Sequence, residues 1–301
     1  MARKKKLFVT GGSGFIGRNF IEQCGSNYDI SAPTHKELEL SNAKAVEHYL
    51  TANDFDVVLH LAMIGTNRKS ESQADIVDIS TRSFFNIAKC SSHFGKMIYL
   101  GSGAEYDKSR ELKKVKEDAS GQSVPKDDYG LAKYLCSRYI ESAANPGNIL
   151  CLRVFGCYGK YEDYPRRFVS NAVCRAIFDQ PLMIKNKNVF FDYLYVNDLA
   201  RIIRHFIDSN SKPKYKSYNA TPDAAVDLIT IAKTVNKVLG KELEIIVKNK
   251  GLGPEYSGDN SRLKEELGDF KFTSLELGIR ELYEWYTANK GTLNYTGLIS
   301  Q

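Results

Sequence analysis

The stretch Thr10-Gly11-Gly12-Ser13-Gly14-Phe15-Ile16-Gly17 directly follows an apolar run, Lys6-Leu7-Phe8-Val9, and directly precedes an amphipathic one. Its glycines at 11, 14 and 17 are spaced G-x-x-G-x-x-G, and each has its own task in a strand-to-helix turn. Gly11 permits the tight reversal, Gly14 lets the backbone approach a pyrophosphate, and Gly17 lets helix and strand pack closely. The following helix offers unpaired N–H groups and the positive end of its dipole to the anion. Glycines also fill ordinary turns; the strand before and the helix after make this one a dinucleotide-binding turn, with Phe15 and Ile16 at its helical edge.

Outward from that turn, residues 56–62 (DVVLHLA), 96–100 (KMIYL) and 149–155 (ILCLRVF) are apolar without alternation. Strands covered on both faces of a parallel sheet read this way. Between them, 75–90 and 129–144 have helical periodicity. Alternating strand and helix imply right-handed crossovers, hence an α/β fold with a doubly wound parallel sheet. The pattern loosens after Gly159. Helices are expected at 168–178 and 227–240, with a last one at 275–289. A strand is expected at 189–196, with Asp198 as N-cap of a helix over 199–207. We expect a dinucleotide-binding (Rossmann) domain over 1–158, rejoined by about 189–220, and a smaller C-terminal α/β substrate domain mainly over 159–301.

The composition, 43% hydrophobic and 26% charged over 301 residues, fits an ordinary globular chain of about two domains. No apolar run approaches the roughly 20 residues of a membrane span. The basic residues 3–6 are followed by too short an apolar run for a signal peptide, so a cytoplasmic protein without a membrane partner is expected. Six cysteines without a CxxC, and no His at zinc-ligand spacing, point to reduced thiols and no metal. Lys and Arg total 42 against 36 Asp and Glu. They are scattered, which suits an anionic small substrate and not a nucleic acid.

An NAD site wants a carboxylate at the end of the second strand, on the ribose 2′-hydroxyl. Here Ala32-Pro33-Thr34-His35-Lys36 stand there, with Glu37 only beyond. His35 and Lys36 can face a 2′-phosphate, which favours NADP(H) and keeps NAD(H) as the alternative. Further on, Tyr129 and Lys133 stand at i and i+4 on one helix face. They follow the loop Gly101-Ser102-Gly103-Ala104-Glu105-Tyr106. A tyrosine hydroxyl with a pKa near 10 is a poor acid–base group at neutral pH. A lysine beside it favours the phenolate, and Ser102 can hydrogen-bond the reacting oxygen. Such a trio moves a proton while a dinucleotide moves a hydride.

With turn, Ser and YxxxK in order, the chain resembles the extended short-chain dehydrogenase/reductase family, in its nucleotide-sugar (epimerase/dehydratase) branch. The likeness runs over nearly the whole length. Residues 56–62 are similar to the family's DVVxHLA, 152–159 (LRVFGCYG) to LRxFNxYG, and 191–200 (FDYLYVNDLA) to RDFxYVxDxA; residues 259–285 resemble its DxSK…W ending. The resemblance implies that Leu61 and Ala62 line the cofactor and that Ser102, Tyr129 and Lys133 are catalytic. It also implies a nucleotide-diphosphate sugar as substrate, and a homodimer through the helices at 75–90 and 129–144.

The departures narrow the reaction. Dehydratases of the family carry Asp-Glu where this chain has Gly103 and Ala104. Members that epimerise before reducing carry a Cys at Ala104 and a His near Phe168. What remains is hydride transfer at one carbon. We expect a 4-ketoreductase of an NDP-4-keto-6-deoxy sugar; the alternatives are an NDP-sugar C4 epimerase with tightly held NAD and, further off, a non-catalytic dinucleotide-binding protein. The family's substrate-contacting Asn is Gly156 here and its diphosphate-binding Arg is Phe191. Lys160, Arg166 or Arg167 can supply that charge, since Arg suits bidentate phosphate contacts. Phe190, Phe191, Tyr193 and Tyr195 read as core packing before base stacking, and His60 reads as structural.

Overall fold

The computed structural model describes residues 3–63 and 73–299. Six parallel strands lie side by side in the order Ser217–Ala220, Ile149–Val154, Phe94–Ser102, Phe55–His60, Lys6–Thr10, Asp29–Ser31. Successive residues of a strand point to opposite faces, and both faces here are covered. Leu7, Val9, Leu59, Leu100 and Leu152 face Phe20, Ile203 and Phe206 of the helices Phe15–Cys24 and Val196–Asp208. Phe8, Val58, Met97 and Cys151 turn the other way, onto Phe84, Ile87, Cys136 and Ile140 of Gln73–Lys89 and Asp128–Glu141. This is why the strands read as unbroken apolar runs. Each large side chain so buried contributes roughly 1.5–3 kcal/mol.

The strand order reverses between Lys6–Thr10 and Phe55–His60, and ligands of doubly wound sheets sit outside the carboxyl ends of the strands at such a switch. The basic N-terminus is used locally. Arg3 pairs with Asp56 at 2.8 Å. Lys5 and Lys96 donate to Ile207 and Phe206 carbonyls, at 2.6 and 2.9 Å, at the end of the helix Val196–Asp208. Cations there offset the negative end of the helix dipole.

Beyond the sheet, the helices Phe168–Ile177, Leu228–Leu239 and Leu275–Ala288 share a second core with Tyr158, Tyr195 and Tyr286. Leu228–Leu239 has the expected bounds: Asp227 accepts from the N–H groups of Ile229 and Thr230, and Gly240 closes it at φ 63°. Three expectations need correction. The strand expected at 189–196 is two short pieces, Phe190–Phe191 and Leu194–Tyr195, in different sheets. Asp198 is not an N-cap. The helix starts at Val196, and the Asp198 carboxylate instead takes the Thr273 N–H at 2.7 Å and hydroxyl at 2.8 Å. Leu275–Ala288 is followed by a further short helix, Tyr295–Ile299. Among the described residues no helix is long and apolar enough to cross a membrane.

Candidate active site

The glycine turn is built as its spacing requires. Gly11 has φ +70°, and a Cβ on it would lie 2.8 Å from the Ala62 nitrogen, so the turn rests on the end of the neighbouring strand. A Cβ on Gly17 would meet the Gly11 carbonyl at 2.2 Å. The Thr10 hydroxyl ties the two strand ends together: it accepts from the N–H groups of Leu61 and Ala62 at 3.2 and 3.1 Å and meets His60 Nδ1 at 2.7 Å. Burial, with a smaller contribution from the Lys133 charge, pushes the His60 pKa down to about 3. The ring is therefore a neutral scaffold piece, as read from the sequence. Among the described residues no side chain caps the helix starting at Phe15, which leaves its first N–H groups for an anion.

A cavity of about 360 Å³ opens beside this turn, lined by Gly11, Gly12, Gly14, His35, Leu61, Ala62 and Ser80 among others. The buried Ser80 hydroxyl oxygen has no partner among the described residues. The bare helix end, the cavity and that hydroxyl fit a dinucleotide. His35 is at the rim with its ring 2.9 Å from Glu39, and Lys36 is exposed beside it. Glu37 turns onto its own loop, accepting from the Thr34 N–H at 2.7 Å and hydroxyl at 2.8 Å. Glu39, missed by the sequence reading, also lines the cavity; it accepts from the Ser41 N–H at 2.9 Å and hydroxyl at 2.7 Å.

Ser102, 5% exposed, ends its strand. Its Oγ accepts from the Ala104 N–H at 3.2 Å, and its own N–H donates to Glu105 at 2.8 Å, a capping box on the next turn. Asp127 caps the helix Asp128–Glu141 through the Gly130 N–H at 2.9 Å, which places Tyr129 and Lys133 one turn apart. A Cβ on Gly130 would lie 2.9 Å from the Ala104 carbonyl, so the helix seats against the Ser102 loop only because that residue is glycine. Buried Lys133 donates to the Leu100 carbonyl at 2.5 Å. Half-buried Tyr129 has the Lys108 ammonium 5.7 Å from its ring. Tyr256, from a distant segment, shares that cation, its ring lying 5.6 Å from the Lys108 ammonium. Neither Lys108 nor Tyr256 carried a sequence signal.

Beneath the site lies Arg153, fully buried and bonded to Glu105 at 2.6 Å and Glu141 at 2.5 Å. Glu105 bonds the Ser102 backbone and Glu141 ends the helix of Tyr129, so one cation joins the elements that carry the trio.

On the substrate side, a Cβ on Gly156 would fall 2.4 Å from the Asp192 carbonyl and 2.6 Å from Phe191 Cε1. Gly156 therefore presents no side chain. Phe191 packs at 4.6 Å on Tyr256 and 5.0 Å on Tyr193, and Tyr195 is buried with its hydroxyl on Glu281 at 2.7 Å. Arg166 and Arg167 are exposed just before the helix Phe168–Ile177, Arg166 lying 3.7 Å from Asp163. Lys160 is paired with Glu22 at 2.7 Å. Gly103, where a dehydratase carries Asp, is closed by the Phe155 ring 2.5 Å from a built Cβ.

A family model described as the NAD dependent epimerase/dehydratase family matches residues 7–221. The chain belongs to that family. Among curated members, it is 27% identical to a GDP-L-fucose synthase of Azorhizobium caulinodans, covering 95% of this chain and 97% of that one. It is 24% identical to a dTDP-4-dehydro-6-deoxy-D-allose reductase of Streptomyces sp, covering 95% and 97%. Among solved structures of similar fold is the GDP-mannoheptose C4 reductase of Campylobacter jejuni with NADP bound, at TM-score 0.79, 18% identity and 95% and 99% coverage. The UDP-glucose 4-epimerase of Thermotoga maritima follows at TM-score 0.78, 20% identity and the same coverage.

Proposed function

We propose that this epimerase/dehydratase family member is an NADP(H)-dependent nucleotide-sugar reductase acting on the C4 ketone of an NDP-4-keto-6-deoxy sugar. The observation that carries the reading is the trio. Ser102 stands at the carboxyl end of the strand Phe94–Ser102, and the Tyr129–Lys133 pair is on the helix Asp128–Glu141 that seats against its loop through Gly130. The curated relatives above include a reductase of a 4-dehydro-6-deoxy sugar. Gly103 and Ala104, both buried, offer no acid or base for dehydration.

When bound, the dinucleotide supplies the hydride; the chain supplies everything else. The turn at Gly11–Gly17 and the bare helix end hold its pyrophosphate, with His35 and Lys36 at the 2′-phosphate. Lys133, buried one helical turn from Tyr129, is the group we assign to the nicotinamide ribose. Ser102 donates a hydrogen bond to the ketone oxygen, and Tyr129 delivers the proton as the alkoxide develops. Arg166 and Arg167 are the cations we assign to the diphosphate. In the same reading the active species is a homodimer, paired through the helices Gln73–Lys89 and Asp128–Glu141.

The test is to denature freshly purified protein and identify what it releases. A site that is empty on purification and binds NADPH reversibly, with turnover lost in Tyr129→Phe while NADPH still binds, supports the reductase. Stoichiometric tightly held NAD would overturn it in favour of C4 epimerisation.

A further inference from the structure

One cation at the reacting centre has no task in that scheme. Lys108 comes just after the turn Gly103–Tyr106 that follows Ser102. Its ammonium lies 5.7 Å from the centre of the Tyr129 ring and 5.6 Å from that of Tyr256, within the range over which an aromatic face attracts a cation. The lysine is exposed, and among the described residues no carboxylate lies within ion-pairing distance of it. Its neighbour Asp107 is turned elsewhere. That carboxylate takes the Ser109 N–H at 3.1 Å and hydroxyl at 2.7 Å, and the Asp107 carbonyl takes the Arg110 N–H at 3.4 Å. Asp107 has φ 64°, a left-handed conformation that Asp tolerates better than most residues. Arg110 in turn donates to the Ser123 hydroxyl at 2.8 Å. The backbone of Lys108 is thereby pinned at the tip of a tied turn beside the catalytic tyrosine.

An ammonium without a carboxylate partner, held there, is placed for an anion of the substrate. Tyr129 marks where the reacting C4 must stand. In a hexopyranose C4 lies across the ring from C1, so the phosphate on C1 is one sugar width from the reacting oxygen. At 5.7 Å from the Tyr129 ring, Lys108 is within that reach. Phe191, packed 4.6 Å from the same Tyr256 ring, offers no charge there. We propose that Lys108 binds the sugar-linked phosphate of the substrate's diphosphate. A compact ammonium suits a single phosphate as a point charge, where an arginine would grip two oxygens. Arg166 and Arg167 are then left to the phosphate next to the nucleoside. The proposal rests on the reading of the substrate as a nucleotide-diphosphate sugar and deepens it.

The experiment is calorimetric titration of wild type, Lys108→Met and Lys108→Arg with GDP, dTDP and UDP, each against its own monophosphate. The protein is saturated with NADPH, so that the dinucleotide crevice is occupied. Methionine keeps an unbranched stem at an exposed position, so the fold is retained. For the diphosphate that binds, Lys108→Met should weaken affinity roughly 10- to 100-fold, the range for one charge-assisted bond. The monophosphate lacks the phosphate that carries the sugar, and salt screens the more distant charge, so its affinity should change less than about 3-fold. Lys108→Arg should recover most of the loss. Equal diphosphate affinity in wild type and Lys108→Met would overturn the proposal, and so would equal losses for monophosphate and diphosphate. A wild type that binds none of the three diphosphates would strike the nucleotide-sugar reading and the proposal with it. Diphosphate binding that depends on Lys108, in a protein that reduces no 4-keto sugar, would support the proposal and strike the reductase reading alone.

Discussion

Arg153→Met keeps much of the volume of a fully buried side chain and removes its charge. The guanidinium bonds Glu105 at 2.6 Å, Glu141 at 2.5 Å, Ser217 at 3.1 Å, and Tyr106 and Ser120 at 3.2 Å. The Glu105 side chain is 1% exposed and has no water to turn to. Removing one partner of a buried pair costs about 3–5 kcal/mol. An independent figure comes from the escape open to the carboxylate left behind. Protonating a carboxyl of ordinary pKa near 4.3 at pH 7 takes about 3.7 kcal/mol, and at pH 5 only about 1 kcal/mol. The destabilisation should thus be about 3–5 kcal/mol at pH 7 and shrink by roughly 2–3 kcal/mol at pH 5. Glu141 adds in the same sense. Burial raises its pKa, but the Arg153 charge and bonds from Arg153, Ser120 and Ser217 outweigh that and hold it below the ordinary value. Its native contribution is present above about pH 4.3 and is lost as pH falls; without Arg153 burial alone remains. The assay is urea unfolding followed by the fluorescence of Trp285 at the two pH values. A loss under about 1 kcal/mol at pH 7, or equal losses at both, would refute the reasoning.

Two further substitutions test other parts of the structure. Burial pushes the Glu162 carboxyl up to about 8, while the Ser170 hydroxyl bond and the Arg167 charge pull it down. A raised acid favours the protonated fold, so its contribution is present below about pH 4.3 and lost as pH rises toward 8. Glu162→Gln should flatten that decline, with a gain in thermal midpoint larger at pH 8.5 than at pH 6. Gly156→Ala brings a methyl to 2.4 Å from the Asp192 carbonyl and 2.6 Å from Phe191 Cε1. It should cost about 1–3 kcal/mol in urea unfolding, the range for overpacking. Adding Phe191→Ala should recover only part, because the carbonyl stays.

The parts legible in the sequence were those whose physics is local. The turn at Gly11–Gly17 needs glycines whatever surrounds it. The apolar runs follow from covering a sheet on both sides, and Tyr129 and Lys133 share a face because a helix turn is four residues. The hidden parts join distant segments. Asp198 stands where an N-cap would, but its carboxylate is taken by Thr273, 75 residues on. Tyr256 comes to share Lys108 with Tyr129 only through the parallel pairing of Tyr256–Gly258 with Leu112–Val115. Gly156 and Phe191 each stood out as a departure; that they are one feature, a ring filling the space of a missing side chain, needs the fold.

The edge strand Ser217–Ala220 completes the parallel sheet beside Ile149–Val154, more than 60 residues after that strand has left the sheet. It also brings Ser217 to the Arg153 guanidinium and Asn219 to the Tyr106 hydroxyl, at 3.1 and 2.8 Å. On the ribosome, therefore, the parallel sheet stays unfinished until residue 220 has emerged. Until then the edge of the fully buried strand Ile149–Val154 is open to pairing with another copy. A separately expressed piece ending near residue 158 would keep that edge open and the Arg153 guanidinium short of its Ser217 bond, so residues 149–154 and 217–220 share one folding event.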